Sequence, residues 1–239
     1  MSRIRKIYFA RLIGRCLTLL AVLALYFFDR AQFAVLQGWE FFRKLTWLHL
    51  LWLVWMGDML FQLLPVHAQI SLGSQKHFLM RFRPIAEAVN YRALKEHITA
   101  TTRAAYKVFL LWGALLLVLA ALFFAGLLTA LGIFSFSVLF YVLDLVCVLI
   151  WCPFRLIMKN RCCTTCRIVN WDHLMMFSPL VLTPGFYTTS LLVVAFAVWV
   201  VWEFCVMLYP ERFWEVSNVA LRCSECTDKL CTQYCKKLR

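Results

Sequence analysis

Residues 162–166 read Cys-Cys-Thr-Thr-Cys, and residues 223–235 read Cys-Ser-Glu-Cys-Thr-Asp-Lys-Leu-Cys-Thr-Gln-Tyr-Cys. A Cys-x2-Cys pair lets two sulfurs from one tight turn reach one ion, so Cys163/Cys166 with Cys223/Cys226 would complete a four-sulfur shell. Structural zinc is the simplest occupant. Cys162, Cys231 and Cys235 are then left over, which favours a second metal or an iron-sulfur cluster that passes electrons, although the Cys-x2-Cys-x2-Cys-x3-Cys-Pro spacing of bacterial clusters is absent. His173, preceded by Asn170-Trp171-Asp172, is a further candidate ligand that Asp172 would orient. The competing reading makes Asn170 or Asp172 a helix cap. Cys147 and Cys152 fall near the same predicted face. On a reducing face disulfides are disfavoured, which leaves metal binding first and redox-active thiols second.

A second set of chemistry-bearing residues lies within apolar runs. Asp58, Asp144 and Glu203 interrupt otherwise hydrophobic stretches, with no intramembrane Lys or Arg expected opposite them. A carboxylate in lipid costs roughly 2.5 kcal/mol or more even on the mildest scale. Each acid must therefore be neutral, hydrogen-bonded or turned to a wet interior. Tyr141, Asp144, Cys147 and Trp151 share one face at helical spacing, and Trp199, Trp202 and Glu203 cluster on another helix. The alternatives are interhelical hydrogen bonding, a proton or cation path, and a catalytic pocket. A membrane enzyme or transporter using these carboxylates, with the metal knot as a structural clasp, is thus the alternative to a metal or electron-transfer protein. No P-loop, Gly-x-Ser-x-Gly, His-Glu-x-x-His or dinucleotide fingerprint is present.

The elements that must position these groups are membrane helices. With 63% hydrophobic, 16% aromatic and 15% charged residues among 239, the chain is not an ordinary soluble domain. Apolar segments over 12–28, 45–64, 108–134, 135–152 and within 174–209 are each about long enough for a ~30 Å hydrocarbon core. The first follows Arg3, Arg5, Lys6, Arg11 and Arg15 and lacks a small-residue cleavage site, which reads as an uncleaved anchor. The third and fourth are expected to form a hairpin that turns at 132–137.

The net charge of +13 is explained by basic residues at membrane borders, not by nucleic acid. Arg and Lys concentrate before the first span, in the 65–107 loop and over 153–173, which places these on the cytoplasmic side, as in a bacterial inner membrane protein. The 65–107 loop is expected to hold two short basic helices split at Pro84, with anionic lipid headgroups as neighbours. A membrane-protein or redox partner is a further expectation.

A single crossing over 174–209 would leave the two cysteine clusters on opposite sides of the membrane. The run Met175–Gly185 holds Pro179, Pro184 and Gly185 and supplies the missing half pass: a short arm that enters, turns and returns as a longer helix. The expected fold is an all-α integral membrane protein with four full transmembrane helices and a fifth, re-entrant broken hairpin. Residues 1–209 form the membrane domain, and 153–173 with 210–239 form a cytoplasmic cysteine-rich knot.

Overall fold

The computed structural model describes residues 3–63, 82–86, 88–160 and 163–225. Cys162, Cys226, Cys231 and Cys235 lie outside the described residues, as does the whole of the 210–239 tail beyond Glu225.

Among the described residues, seven α-helices run in chain order: α1 (Arg3–Phe28), α2 (Trp47–Leu63), α3 (Tyr91–Phe124), α4 (Ala130–Leu149), α5 (Phe154–Met158), α6 (Asp172–Phe177) and α7 (Phe186–Leu208). No strand occurs among the described residues. α1, α3, α4 and α7 are each long and apolar enough to cross a membrane. Their outward faces carry Leu17, Leu20, Phe109, Leu110, Leu117, Phe196 and Phe204, all exposed. Apolar surface on that scale suits lipid and not water. Among the described residues the fold is all-α, with four membrane-length helices. α2, at 17 residues, rises about 26 Å.

Two expected boundaries move. Residues 91–107 are the first half of one 34-residue helix and not part of a loop of separate short helices. The Asn90 side chain accepts from the amides of Arg92 and Ala93, which starts the helix firmly, and no proline interrupts it before Phe124. The corner between α3 and α4 lies at 125–129 instead of 132–137. Gly126 takes a left-handed φ of 74° and its amide donates to the Phe123 carbonyl, while Thr129 caps α4 by accepting from the Gly132 amide. Gly132 to Ser137 are therefore helical.

The bundle has two distinct ends. At one, the residues after α1 meet the start of α7: the Phe186 amide donates to Gly38 O at 3.0 Å and the Tyr187 hydroxyl donates to Leu48 O at 3.0 Å. A Cβ on Gly185 would collide with the Leu36 carbonyl oxygen, so only glycine lets the two backbones approach this closely. At the other end, Tyr8 packs on Leu145 and Leu149, and the Trp202 indole donates to Arg167 O at 3.0 Å. α6 and a 3-10 turn over Ser178–Leu182 connect these levels, running from Trp171 beside Glu203 to Thr183 beside Thr188, antiparallel to α7. The Trp112 indole of α3 donates to Ser178 Oγ at 2.9 Å and holds this irregular segment against the bundle.

Residues 210–225 fold at the second end, where the His97 ring of α3 stacks on Trp214 and the Val219 amide donates to Arg83 O at 2.9 Å. Cys163, Cys166 and Cys223 therefore lie at one end of the bundle.

Candidate functional site

α1, α2 and α4 meet around Arg15, which is 8% exposed. Its Nη1 donates to Asp144 Oδ2 and to the Tyr141 carbonyl oxygen, both at 2.7 Å. Its Nη2 stands 3.7 Å from Asp58 Oδ2, and the guanidinium lies 3.8 Å from the centre of the Tyr141 ring. Asp58 and Asp144 thus have the compensating cation that the sequence reading assigned to the membrane border. Arg15 sits three turns into a helix whose other residues at that level are apolar. Only the packing of α1 antiparallel against α4 carries it to Asp144.

His173 extends the cluster. The ring is 3% exposed, with Nε2 3.7 Å from Asp58 Oδ2 and Nδ1 3.2 Å from Asp172 Oδ1. Gln62 of α2 places its amide 3.1 Å from the same Nδ1, and Gln62 Oε1 finds no donor among the described residues. A half-turn of the Gln62 amide would present Oε1 to a protonated Nδ1. The ring then donates toward acceptors on both sides, the arrangement that suits an imidazolium. Asp172 starts α6 but makes no side-chain cap, and neither does Asn170. His173 and Asp172 are members of a charged chain running Asp144, Arg15, Asp58, His173, Asp172, drawn from α1, α2, α4 and α6.

A cavity of about 250 Å³ lies against one side of this chain. Asp144 and Asp172 reach its wall, together with the thiols of Cys147, Cys152, Cys163 and Cys166. Elsewhere the lining is apolar and aromatic, with Trp112, Phe140 and Phe154. The sequence reading joined Cys163/Cys166 to the distant tail; the fold also joins them to Cys147 and Cys152.

Glu203 stands apart. Its two carboxylate oxygens accept from both terminal nitrogens of Arg167, and the Trp171 indole donates to Oε1 at 2.8 Å. Arg167 immediately follows Cys166. This pairing ties the cysteine loop to α7 and leaves Glu203 occupied by structural partners. The sequence signal was the adjacency of Cys166 and Arg167, but nothing in the sequence linked Arg167 to residue 203.

Among the described residues no three of His, Cys, Asp and Glu stand close enough together to hold one metal ion. Cys163, Cys166, Cys223 and His173 are described, and Cys162, Cys226, Cys231 and Cys235 are not. The described cysteines are free thiols. No protein-family model matches the sequence, and neither a curated protein nor a solved structure matches it.

Proposed function

We propose that the protein is a membrane enzyme or carrier whose working centre is the buried chain Asp144–Arg15–Asp58–His173–Asp172, which takes up and releases protons at the adjacent cavity. The observation that carries this reading is Arg15 placed between two carboxylates, with His173 on the far side of one of them. Burying that many ionisable groups costs stability that an apolar interface would not, and hydrogen-bonded acids and a histidine inside a membrane bundle mark proton paths. Asp144 and Asp172 face the cavity, so protons have somewhere to go.

Infrared difference spectroscopy on protein reconstituted in lipid tests this. The expected result is a carboxyl signal that changes with pH in the wild type and is lost in Asp144→Asn or Asp58→Asn. Identical spectra in the wild type and both variants would overturn the reading.

A second reading keeps the cysteines as a metal site, structural zinc or an iron-sulfur cluster that passes electrons to a redox partner. Supporting it, Cys163, Cys166 and Cys223 share one end of the bundle, the end to which the tail bearing Cys226, Cys231 and Cys235 is joined. Metal analysis of anaerobically purified protein tests it: metal that is retained in the wild type and lost in Cys223→Ser supports the site, and metal-free wild type sinks it. In this reading α6 to α7 is the re-entrant hairpin, the amino terminus and cysteine loops face the cytoplasm of a bacterial inner membrane, and basic residues of the amino-terminal half of α3 rest on anionic headgroups.

A further inference from the structure

α4 does not end as a regular helix. Ile150 caps it at φ −112° and ψ −72°, still right-handed but away from regular helical values, and the Val146 carbonyl that accepts its amide at 2.8 Å also accepts the Trp151 amide, five residues on, at 3.1 Å. Pro153, next but one, supplies no amide to continue the ladder. On a regular helix the side chains of residues 147 and 152 would point about 140° apart. The irregular corner instead turns both side chains onto the wall of the same cavity, near enough for each thiol to influence the other. Both are free thiols, both line the cavity, and Asp144 lies one turn before Cys147 on the same wall.

The surroundings narrow the chemistry. The cavity wall is almost entirely apolar, and Leu143 at its edge is exposed on the lipid-facing side of α4. A charged small disulfide would lose its hydration there without gaining partners for its carboxylates. A flat apolar ring would stack against Trp112, Phe140 or Phe154 at no such cost. We propose that Cys147 and Cys152 form a redox-active dithiol that exchanges two electrons with a quinone-type acceptor entering this cavity from the bilayer. The sulfur-sulfur bond forms as both S–H bonds break. The two electrons reduce the ring, and the two protons end on its oxygens as the quinol, the Cys147 proton travelling by way of the Asp144 carboxylate. The reverse step, quinol to quinone with the disulfide reduced, balances in the same way. Only the proton route rests on the reading of the charged cluster given above.

The test uses the full chain in lipid nanodiscs, reduced, freed of reductant and mixed anaerobically with decylubiquinone, whose fully substituted ring cannot arylate a thiol. The expected result is quinol in an amount equal to the protein, together with a Cys147–Cys152 cross-linked peptide in a non-reducing digest. Cys147→Ser and Cys152→Ser should each abolish both signals, and Cys16→Ser and Cys205→Ser should change neither. Should the serine variants fail to fold, wild type whose thiols are capped with methyl methanethiosulfonate supplies the same comparison.

Wild type that yields no quinol overturns the acceptor. Quinol accompanied by a link between other cysteines overturns the pair. Asp144→Asn separates the two proposals: quinol formation slowed at least tenfold supports the proton route, whereas an unchanged rate removes Asp144 from it and leaves the dithiol standing.

Discussion

Arg167 donates from both terminal nitrogens to the carboxylate of Glu203, across 36 residues of sequence, and so binds the loop carrying Cys163 and Cys166 to the last long helix. The pair is largely buried, with 6% and 21% of the two side chains exposed. Removing one partner of such a pair leaves an uncompensated charge, at a cost of about 3–5 kcal/mol. Glu203→Gln should lower the melting temperature in detergent and make the segment around residue 160 sensitive to protease. An unchanged melting curve would mean that Arg167 finds another acceptor and that the clamp has been misassigned.

Arg15 should behave as the hub of the charged chain. Arg15→Met alone strands Asp58 and Asp144 and should be strongly destabilising, whereas Arg15→Met combined with Asp144→Asn should recover part of the loss. The coupling expected from a double-mutant cycle of unfolding free energies is about 0.5–3 kcal/mol. Strict additivity would show that Arg15 and Asp144 do not act as a unit.

Gly185→Ala tests the close approach at the opposite end. The added methyl meets the Leu36 carbonyl oxygen, a backbone atom that cannot swing aside, and overpacking of this kind costs about 1–3 kcal/mol. Gly57→Ala in α2 meets nothing within 4 Å and should be neutral or stabilising by up to ~1 kcal/mol. Equal melting temperatures for the two variants would contradict the contact between the residues after α1 and the start of α7.

Cys152 lies beyond the end of α4, where the hydrogen bond from Cys147 outweighs partial burial and, aided by the Phe154 and Arg155 amides, draws the thiol down to about 7. An ordinary thiol titrates near 8.5. Because the thiolate is the reactive form, iodoacetamide labelling of Cys152 should rise with pH to half its maximum near pH 7. In Cys147→Ala the curve should move upward. A labelling midpoint that is the same with and without Cys147 would remove the sulfur-sulfur contact as its cause.

The apolar runs alone determine that this chain is α-helical and bears membrane-length helices, because a backbone in lipid has to satisfy its own hydrogen bonds and twenty or so apolar residues do that only as a helix. They did not pick out which four: full spans were expected over 12–28, 45–64, 108–134 and 135–152, whereas among the described residues the four long enough are α1, α3, α4 and α7, with 17 residues in α2. Helix ends were less legible. Residues 91–107 looked like loop because they are polar, yet the Asn90 cap and an unbroken backbone make them helix. The 132–137 turn was placed on a glycine and two serines, but Gly126 and Thr129 had the conformational freedom and the capping oxygen that a corner needs. The acids were legible as costly groups, whereas their partners were not. Arg15 and Asp144 are separated by 129 residues, and Arg15 reads as one more border cation until α1 lies against α4. Cys147 and Cys152 likewise stand apart on any helical projection and line one cavity only because the helix ends irregularly between them. Spacing in the sequence fixes which residues share one helix face; which faces meet, and so which charges and thiols become neighbours, is decided by tertiary packing.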